Sequence, residues 1–548
     1  MIRKNMRILF AGALLCSLSL AGCDALDTKE DLNLTDEMMA TRRYQMFDWG
    51  YRVYEHIPYG FTAIDGNLFA AVSDEAQYVT TFSSTQRFNE GSWSAYYNPD
   101  DCYTSYYNGI YVDYRYILGM HRDTLTSNGL DSYRRDIVDV QRLRAEAHVL
   151  KAYYYFELAK RYGGVPLIDR VYADQKEANL PRGTFDEVVG LILREIEGVR
   201  NELVVDWRAE NLEEKSGRIT RGAALALKSR VLLYAASPQF NPSGEKSKWA
   251  AAAAAAFEVI NMGIYSLHPD YGGLFVAETS TTSPETIWAV RMGATNEFER
   301  KNYPIGTQGG GTGICPSQNL VEAYESTGED TGDAYAGLDP RFYATVLRNG
   351  DTWNGRTLEI YAGGADDPAR QNASPTGYYL RKFLNENLNL TNDDKRLRSW
   401  IVFRYAEILL NFAEAMNEAY GPDDAHGYGM SARDAVDAVR ARSGVGMPPV
   451  DVAPGDAAAM RTAIKHERRI ELAFEDHRYW DLRRWDDAGT VLNRPLRGVK
   501  VTRSGDGFAY TPFEVAKRIF DAPKMNLYPI PQAEIVKSGG VLDQNPGW

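Results

Sequence analysis

Apolar residues recur along much of this chain at steps of three and four, the spacing of one helical face. In QRLRAEAHVLKAYYYFELAKRYGGVPLI, Leu143, Ala147, Leu150, Tyr154 and Leu158 form such a face, and Gly163-Gly164 with Pro166 closes it. WIVFRYAEILLNFAEAMNE repeats the arrangement through Ile401, Tyr405, Ile408, Phe412 and Ala415, which predicts a helix that starts at Ile401 and stops at Gly421-Pro422. The same pattern predicts helices over about 36–56, 103–120, 185–203, 220–236, 248–262, 432–442 and 457–474. WAAAAAAAFEVINMG is low in complexity but high in helix propensity, and it reads as a helix packed closely through its small residues. Strong period-two alternation is scarce, so the expected fold is mainly α.

Between about 265 and 400 the texture changes to Gly, Asn, Thr and Asp with scattered aromatics, as in GTQGGGTGICPSQ and NGDTWNGRTLEIYAGGADDP. These stretches read as loops, and a loop-rich insertion held by a helical scaffold is where binding groups tend to sit. The helix pairs on either side are similar to tetratricopeptide units in length and in the Ala/Tyr content of their faces, although no strict period of about 34 residues aligns. No Pro/Ser linker interrupts the chain, which favours one integrated body over separate beads.

The first residues follow a different logic. Arg3, Lys4 and Arg7 precede an uncharged apolar run from Ile8 to Leu20, the layout of a secretory signal and too short to span a bilayer. Leu20, Ala21, Gly22 and Cys23 then resemble a bacterial lipobox, which implies removal of residues 1–22 and lipidation of Cys23. The alternative is a buried cysteine behind a plain signal. Acyl chains on one residue hold a water-soluble body at a membrane, each buried methylene contributing about 0.8 kcal/mol. Asp24, Asp27, Glu30 and Asp31 fit a solvated tether, and the mean hydropathy of −0.41 agrees with a soluble body.

Charge narrows the partners. The 61 basic residues less Arg3, Lys4 and Arg7 are 58, set against 74 acidic ones, so the mature chain carries a formal charge of about −16. Lys and Arg are interspersed with Asp and Glu, without the basic stripe a nucleic acid requires, so no nucleic-acid partner is expected. With Cys16 lost and Cys23 lipidated, Cys102 and Cys315 remain; two free buried thiols are expected, and spacing leaves a pairing open. The seven histidines are scattered and there is no CxxC, so no metal or other cofactor is expected. Glu467, Glu471 and Glu475 fall at i, i+4 and i+8 on one helical face, a spacing that can present carboxylates together for catalysis. Arg468, Arg469, Arg478, Arg483 and Arg484 stand close in sequence, which favours a structural salt-bridge network instead. HERR lacks the second zincin histidine, the glycines from Gly309 to Gly313 lack the P-loop Lys-Ser/Thr, and no nucleophilic triad stands out.

Several blocks taken in order are more specific than any one of these signals. CDALD, RAEAHVLKAYYYFELAKRYGGVPLI, SQNLVEAYE followed by DPRF, FRYAEILLNFAEAMNE, VDAVRARSG, ERRIELAFEDHRYWDLRRW, LYPIPQAEI and LDQNPGW resemble the signature blocks of the SusD/RagB family. The resemblance covers the whole chain. It implies an α-α superhelix of tetratricopeptide-like hairpins in a lipoprotein anchored on the outer surface of the outer membrane. It divides the body at 23–548 into a SusD-like N-terminal part of about 23–236 and a loop-rich and C-terminal part of about 265–548. It further implies non-enzymatic capture of an oligosaccharide, or in some members a peptide, passed to a SusC-like TonB-dependent transporter over which the lipoprotein acts as a lid. A surface glycoside hydrolase on a helical scaffold is the remaining alternative, for which paired carboxylates in an open cleft would be the mark.

A sugar binder needs flat aromatic platforms flanked by hydrogen-bonding groups, because sugars carry a hydroxyl rim and an apolar C–H face. The chain has 35 Tyr and 10 Trp, and SDEAQYVTTFSSTQRFNEGSWSAYYNPDDCYTSYYNGIY is its densest aromatic segment. Trp93, Tyr96, Tyr97 and Asn98 beside Asp74, Glu75 and Arg87 are therefore the first candidates for ligand contact. The family site also draws on the middle loops, which adds Trp288, Arg291, Trp353 and Tyr378. For each of these aromatics, core packing or contact with the transporter is the competing role.

Overall fold

The computed structural model describes residues 43–119, 130–172, 174, 177–210, 212–276, 279–326, 333 and 335–548. The signal-like segment, Cys23 and the start of the 36–56 helix lie outside them. The longer helices are α1 (Arg43–Arg52), α2 (Tyr103–Gly119), α3 (Leu130–Tyr162), α4 (Phe185–Val199), α5 (Arg221–Ala236), α6 (Lys246–Ile260), α7 (Tyr405–Tyr420), α8 (Ala432–Arg440), α9 (Ala457–Glu471) and α10 (Arg478–Arg484). The strands used below are β1 (Ala76–Tyr78), β2 (Thr286–Thr295), β3 (Ile314–Pro316), β4 (Arg396–Arg404), β5 (Leu496–Ser504) and β6 (Gly507–Ala516). Chain neighbours are spatial neighbours: α3 packs on α2 and α4, α5 on α4 and α6, and α7 on α6, α8 and α9. This is the mainly α succession of tetratricopeptide-like hairpins that the periodicity predicted. No described helix is long and apolar enough to cross a membrane.

Local chemistry sets where the helices begin and end. Thr184 opens α4 with a capping box, its hydroxyl accepting from Glu187 N at 3.2 Å while Thr184 N donates to the Glu187 carboxylate at 2.7 Å. Ser431 and Asp434 form the same box at α8, and Thr220 caps α5. Gly163, at φ +76°, ends α3 by accepting the left-handed turn that a side chain would resist. All five positions of the predicted α3 stripe, Leu143, Ala147, Leu150, Tyr154 and Leu158, are wholly buried. The alanines of α6 lie between α5 and α7, with Ala252, Ala253, Ala255 and Ala256 buried, as expected of a helix that approaches through small residues.

The helix expected from Ile401 is in fact a strand followed by a helix. Ile401 pairs with Ala289 and Trp400 with Val290 across the antiparallel β2–β4 ribbon, and α7 begins only at Tyr405. Ser399 to Arg404 is buried almost throughout, so no alternation betrays the strand, and Ile401 falls by chance in helical register with Tyr405. The middle region is likewise not all loop: it holds β2, β4, the short helix Glu297–Asn302, and β3 paired with β1. β5 and β6 form a second antiparallel ribbon turned at Gly505-Asp506, which the alternation of Val499, Lys500, Val501 and Thr502 before Ser-Gly-Asp-Gly could have revealed.

Buried charge ties the middle region to the helices. Glu471, at the end of α9, is wholly buried and accepts from Arg341 at 2.8 Å, from Arg404 at 2.7 Å and from Arg442. Arg404 also binds Glu285 at 2.7 Å and Glu475, Arg442 binds Glu285 at 2.8 Å, and Lys382 binds Glu475 at 2.7 Å. Glu467 binds Arg341 and Arg440. The expected salt-bridge network therefore exists, but with other arginines than the five close in sequence. Those pair elsewhere: Arg468 and Arg484 with Asp481, Arg469 and Arg478 with Asp74, while Arg483 donates to the Asn526 carbonyl. Burial alone would raise the Glu471 carboxyl, yet the guanidiniums of Arg442, Arg404 and Arg341 outweigh it and hold the group well below the usual carboxylate range.

Removing one member of such a cluster strands the others in a low-dielectric interior. Arg404→Ala is expected to cost about 3–5 kcal/mol of unfolding free energy, measured by urea denaturation. Because the folded-state pKa of Glu471 is depressed, its stabilising contribution is full above the unfolded carboxylate pKa of about 4 and is lost as pH falls through the folded value. The thermal midpoint of the wild type should therefore drop steeply below about pH 4, and that of Arg404→Ala less steeply.

Candidate functional site

The aromatic-rich segment turns its side chains in two directions. Asp65, at φ +50°, accepts from Ser84 N at 3.1 Å and from both the amide and hydroxyl of Thr85 at 2.6 Å. Those contacts, with the Ser83 cap that accepts from Gln86 N at 3.1 Å, fix the short helix Ser84–Asn89. Its inner face carries Phe88, stacked on Trp93 with centroids 5.0 Å apart and rings nearly parallel. Its outer face carries Arg87, whose guanidinium lies 5.4 Å from the centre of the Tyr97 ring. Ser94 and Tyr97 exchange backbone hydrogen bonds of 2.8 and 3.1 Å, a tight turn that throws Tyr96 outward.

Tyr96 is 85% exposed and Tyr97 43%, and Tyr97 reaches back to Ser84 Oγ at 3.4 Å. Phe82, two residues before that helix, is 97% exposed. It was not among the candidates. Phe82 stands in the polar run TTFSSTQ, although Val79 and Tyr78 precede it at helical spacing. Asn98 is half-buried beside this group, and its side-chain carbonyl accepts from Asp100 N at 3.0 Å. Arg87, Tyr96, Tyr97, Asn98 and the added Phe82 thus belong to one exposed surface segment.

The other candidates are placed elsewhere, and five of them are buried. Trp93 is 4% exposed because Phe88, Tyr528 and the C-terminal Trp548 surround its ring at 5.0, 5.2 and 4.6 Å, which leaves no face for a sugar. Trp288 is buried on β2, its indole N–H donating to the Gly217 carbonyl at 2.8 Å and its ring edge-on to Tyr153. Tyr378 is buried with its hydroxyl shared between Gln318 at 2.6 Å and Tyr335 at 2.7 Å; burial, then Tyr335, pushes that phenol well above its usual range. Trp353 is wholly buried edge-on to Tyr303, although it forms part of a cavity wall described next. Asp74 is buried in ion pairs with Arg478 at 2.8 Å and Arg469 at 2.7 Å, so its oxygens are taken. Arg291 is exposed on β2 and donates to Ser216, away from the Tyr97 contacts.

A cavity of about 580 Å³ lies in the middle region, walled by Tyr343, Trp353, Arg381, Asn385, Glu386 and Arg396 among others. Arg381 donates to Glu386 at 3.2 Å and to the Tyr343 carbonyl at 3.2 Å. Lys382 turns inward, and burial pushes its ammonium down to about 8 although Glu475 opposes the shift. The short helix Glu297–Asn302 links the cavity to the aromatic segment. At one end Glu299 accepts from Asn385 Nδ2 at 2.8 Å; at the other Lys301 donates to the Gly66 carbonyl at 2.6 Å, next to Asp65.

The carboxylates that might have served catalysis are out of reach of a substrate. Glu467, Glu471 and Glu475 are 1%, 0% and 7% exposed, and each is engaged by arginine or lysine. Cys102 and Cys315 are both free thiols; Cys315 is buried and Cys102 only partly so. Among the described residues no group of three or more His, Cys, Asp or Glu side chains is arranged to hold a metal ion.

Residues 284–548 match the family described as the SusD family, and residues 26–233 match a family described as "Starch-binding associating with outer membrane". A relative in Formosa agariphila, SusD-like protein P2, is 25% identical over 443 residues, 79% of either chain. Among solved structures, a SusD-like protein from Bacteroides fragilis superposes with a TM-score of 0.76 at 27% identity, covering 94% of this chain and 99% of that one. A SusD-like carbohydrate-binding protein from the same organism gives 0.73 at 23% identity, over 91% of this chain and 98% of that one.

The division of the aromatic segment predicts two kinds of variant. Trp93→Ala should open a cavity among Phe88, Tyr528 and Trp548 and cost about 3–5 kcal/mol of stability. Phe82→Ala and Tyr96→Ala should change it by no more than about 0.5 kcal/mol. Thermal and urea unfolding of the three variants side by side check this.

Proposed function

The chain belongs to the SusD/RagB family, and from that premise we propose that it is a surface lipoprotein that captures oligosaccharide and hands it to a SusC-like TonB-dependent transporter in the outer membrane. One observation carries the capture step: Phe82, Tyr96 and Tyr97 stand exposed within sixteen residues of one another, Tyr97 against Arg87, and the helix after Phe82 and the turn bearing the two tyrosines are locked by hydrogen bonds. A lone exposed aromatic is ordinary, whereas several in one short segment with a guanidinium supply both stacking faces and polar donors. The rigid base limits the ordering cost of binding. The starch-binding, outer-membrane description of the family matched by residues 26–233 supports this reading, as does the carbohydrate binding of the structurally similar Bacteroides fragilis protein.

Capture in this reading is non-enzymatic, and the anchor is the lipid on Cys23, with residues 1–22 removed and the body at 23–548 outside the cell. The Asp24 to Asp31 stretch serves as the tether, and the transporter partner follows from the family resemblance.

Calorimetric titration against a panel of oligosaccharides should find reversible binding, and Phe82→Ala or Tyr97→Ala should weaken it about tenfold, the loss of roughly 1.4 kcal/mol of ring contact. Chromatography of the recovered sugar should show it uncut. No binding across the panel, or shortened products, would overturn the proposal. For the anchor, Cys23→Ala is expected to release the protein from the outer-membrane fraction while its thermal midpoint stays as in the wild type. Retention in that fraction would count against the lipid.

A further inference from the structure

The cavity of about 580 Å³ has the size of a small-ligand pocket, and its charges are unlike those of the chain around it. The whole protein carries a formal charge of −13, yet the charged residues on this wall are Arg381, Lys382 and Arg396 against the single carboxylate of Glu386. Two of the three cations are already committed. Arg381 holds Glu386 at 3.2 Å, and Lys382 spends its three donors on the Tyr271 hydroxyl, the Ala473 carbonyl and Glu475, each at 2.7 Å.

Arg396 differs. It is exposed at the start of β4, and among the described residues its side chain makes one hydrogen bond, from Nη1 to the neighbouring Lys395 carbonyl at 3.0 Å. Among the described residues no carboxylate pairs with it, although ion pairs occupy its neighbours Arg398, with Glu299, and Lys395, with Asp393 at 2.8 Å. A guanidinium presents five N–H donors in a flat fork that matches a carboxylate or a sulfate two bonds at a time. An unpaired guanidinium on a cavity wall calls for an acceptor-rich, negatively charged ligand.

We propose that this cavity receives an acidic sugar, a unit bearing a carboxylate or a sulfate, with Arg396 as the group that pairs with its charge. This rests on the glycan-capture reading and deepens it: the exposed aromatics grip the oligosaccharide and the cavity selects for its negative charge. The protein as a whole repels a polyanion, so the selection is local, and beyond a Debye length of about 8 Å at physiological salt that repulsion is screened.

The test uses the full-length protein in detergent and an array of neutral, uronate-bearing and sulfated oligosaccharides. The retained glycans are expected to be uronate-bearing or sulfated. Carboxyl reduction of the one kind, or desulfation of the other, should weaken binding tenfold or more, and whichever treatment has the effect identifies the anion. Arg396→Gln should abolish that preference with the thermal midpoint unchanged. Retention of neutral glycans as tight as that of their charged counterparts overturns the inference while leaving glycan capture intact. A charge preference that survives Arg396→Gln overturns the assignment to this cavity. Failure of every glycan, charged and neutral, overturns the glycan reading itself.

Discussion

Arg341, Arg404 and Arg442 converge on the Glu471 carboxylate where almost no solvent reaches. Charges buried this deeply are tolerable only when every partner is in place, because desolvation takes several kcal/mol per ion and is recovered only through close, hydrogen-bonded contact. The partners come from distant parts of the chain: Glu285 before β2, Arg341 in the middle region, Arg404 at the end of β4, Arg442 after α8 and Glu471 in α9. None of these segments can shift without stranding a charge in another. The helical hairpins and the loop-rich region are locked together by this condition more than by any single apolar contact.

The surfaces that bear on binding inherit that rigidity. Lys382 is drawn inward by Glu475, which fixes the start of the segment lining the cavity. The next residue, Phe383, sits at φ +70°, a left-handed conformation that is costly for an aromatic, and is wedged against Phe61 and Trp400 at 5.2 and 5.7 Å. From Phe61 and Phe298 the packing continues to the helix Glu297–Asn302 and so to Asp65, which holds the helix carrying Arg87. The exposed aromatics and the cavity are thus presented by elements whose own side chains are already spoken for. That is the preorganisation a weakly held, multiply hydroxylated ligand needs.

Legibility follows the range of the interaction. The α3 stripe, the starts of α4 and α8 and the alanine-rich α6 were readable because periodicity is set by residues three or four apart. β4 was misread for the same reason. A strand buried on both faces shows no alternation, and only the presence of β2 across from it distinguishes it from the first turn of a helix. Of the three glutamates read onto one helical face, Glu467 and Glu471 lie on α9 while Glu475 falls in the turn beyond its end, and nothing local to ERRIELAFEDHR says that the partners of the first two are Arg341, Arg404, Arg440 and Arg442.

The aromatic segment divides along the same line. Its composition marked it as the densest group of rings, and Tyr96, Tyr97 and Arg87 do stand at the surface. Trp93 does not fill the role that composition suggested, because it is covered by Tyr528 and Trp548, more than four hundred residues further on, while Phe82, which composition did not single out, is left exposed by the described residues. The sequence by itself determined the helical architecture, the acidic balance, the signal and lipobox pattern and the family blocks, all written in short-range patterns. Which rings face outward, which arginines neutralise Glu471 and which guanidinium keeps no carboxylate were decided only by the tertiary structure, since burial and charge pairing depend on what the rest of the chain brings alongside.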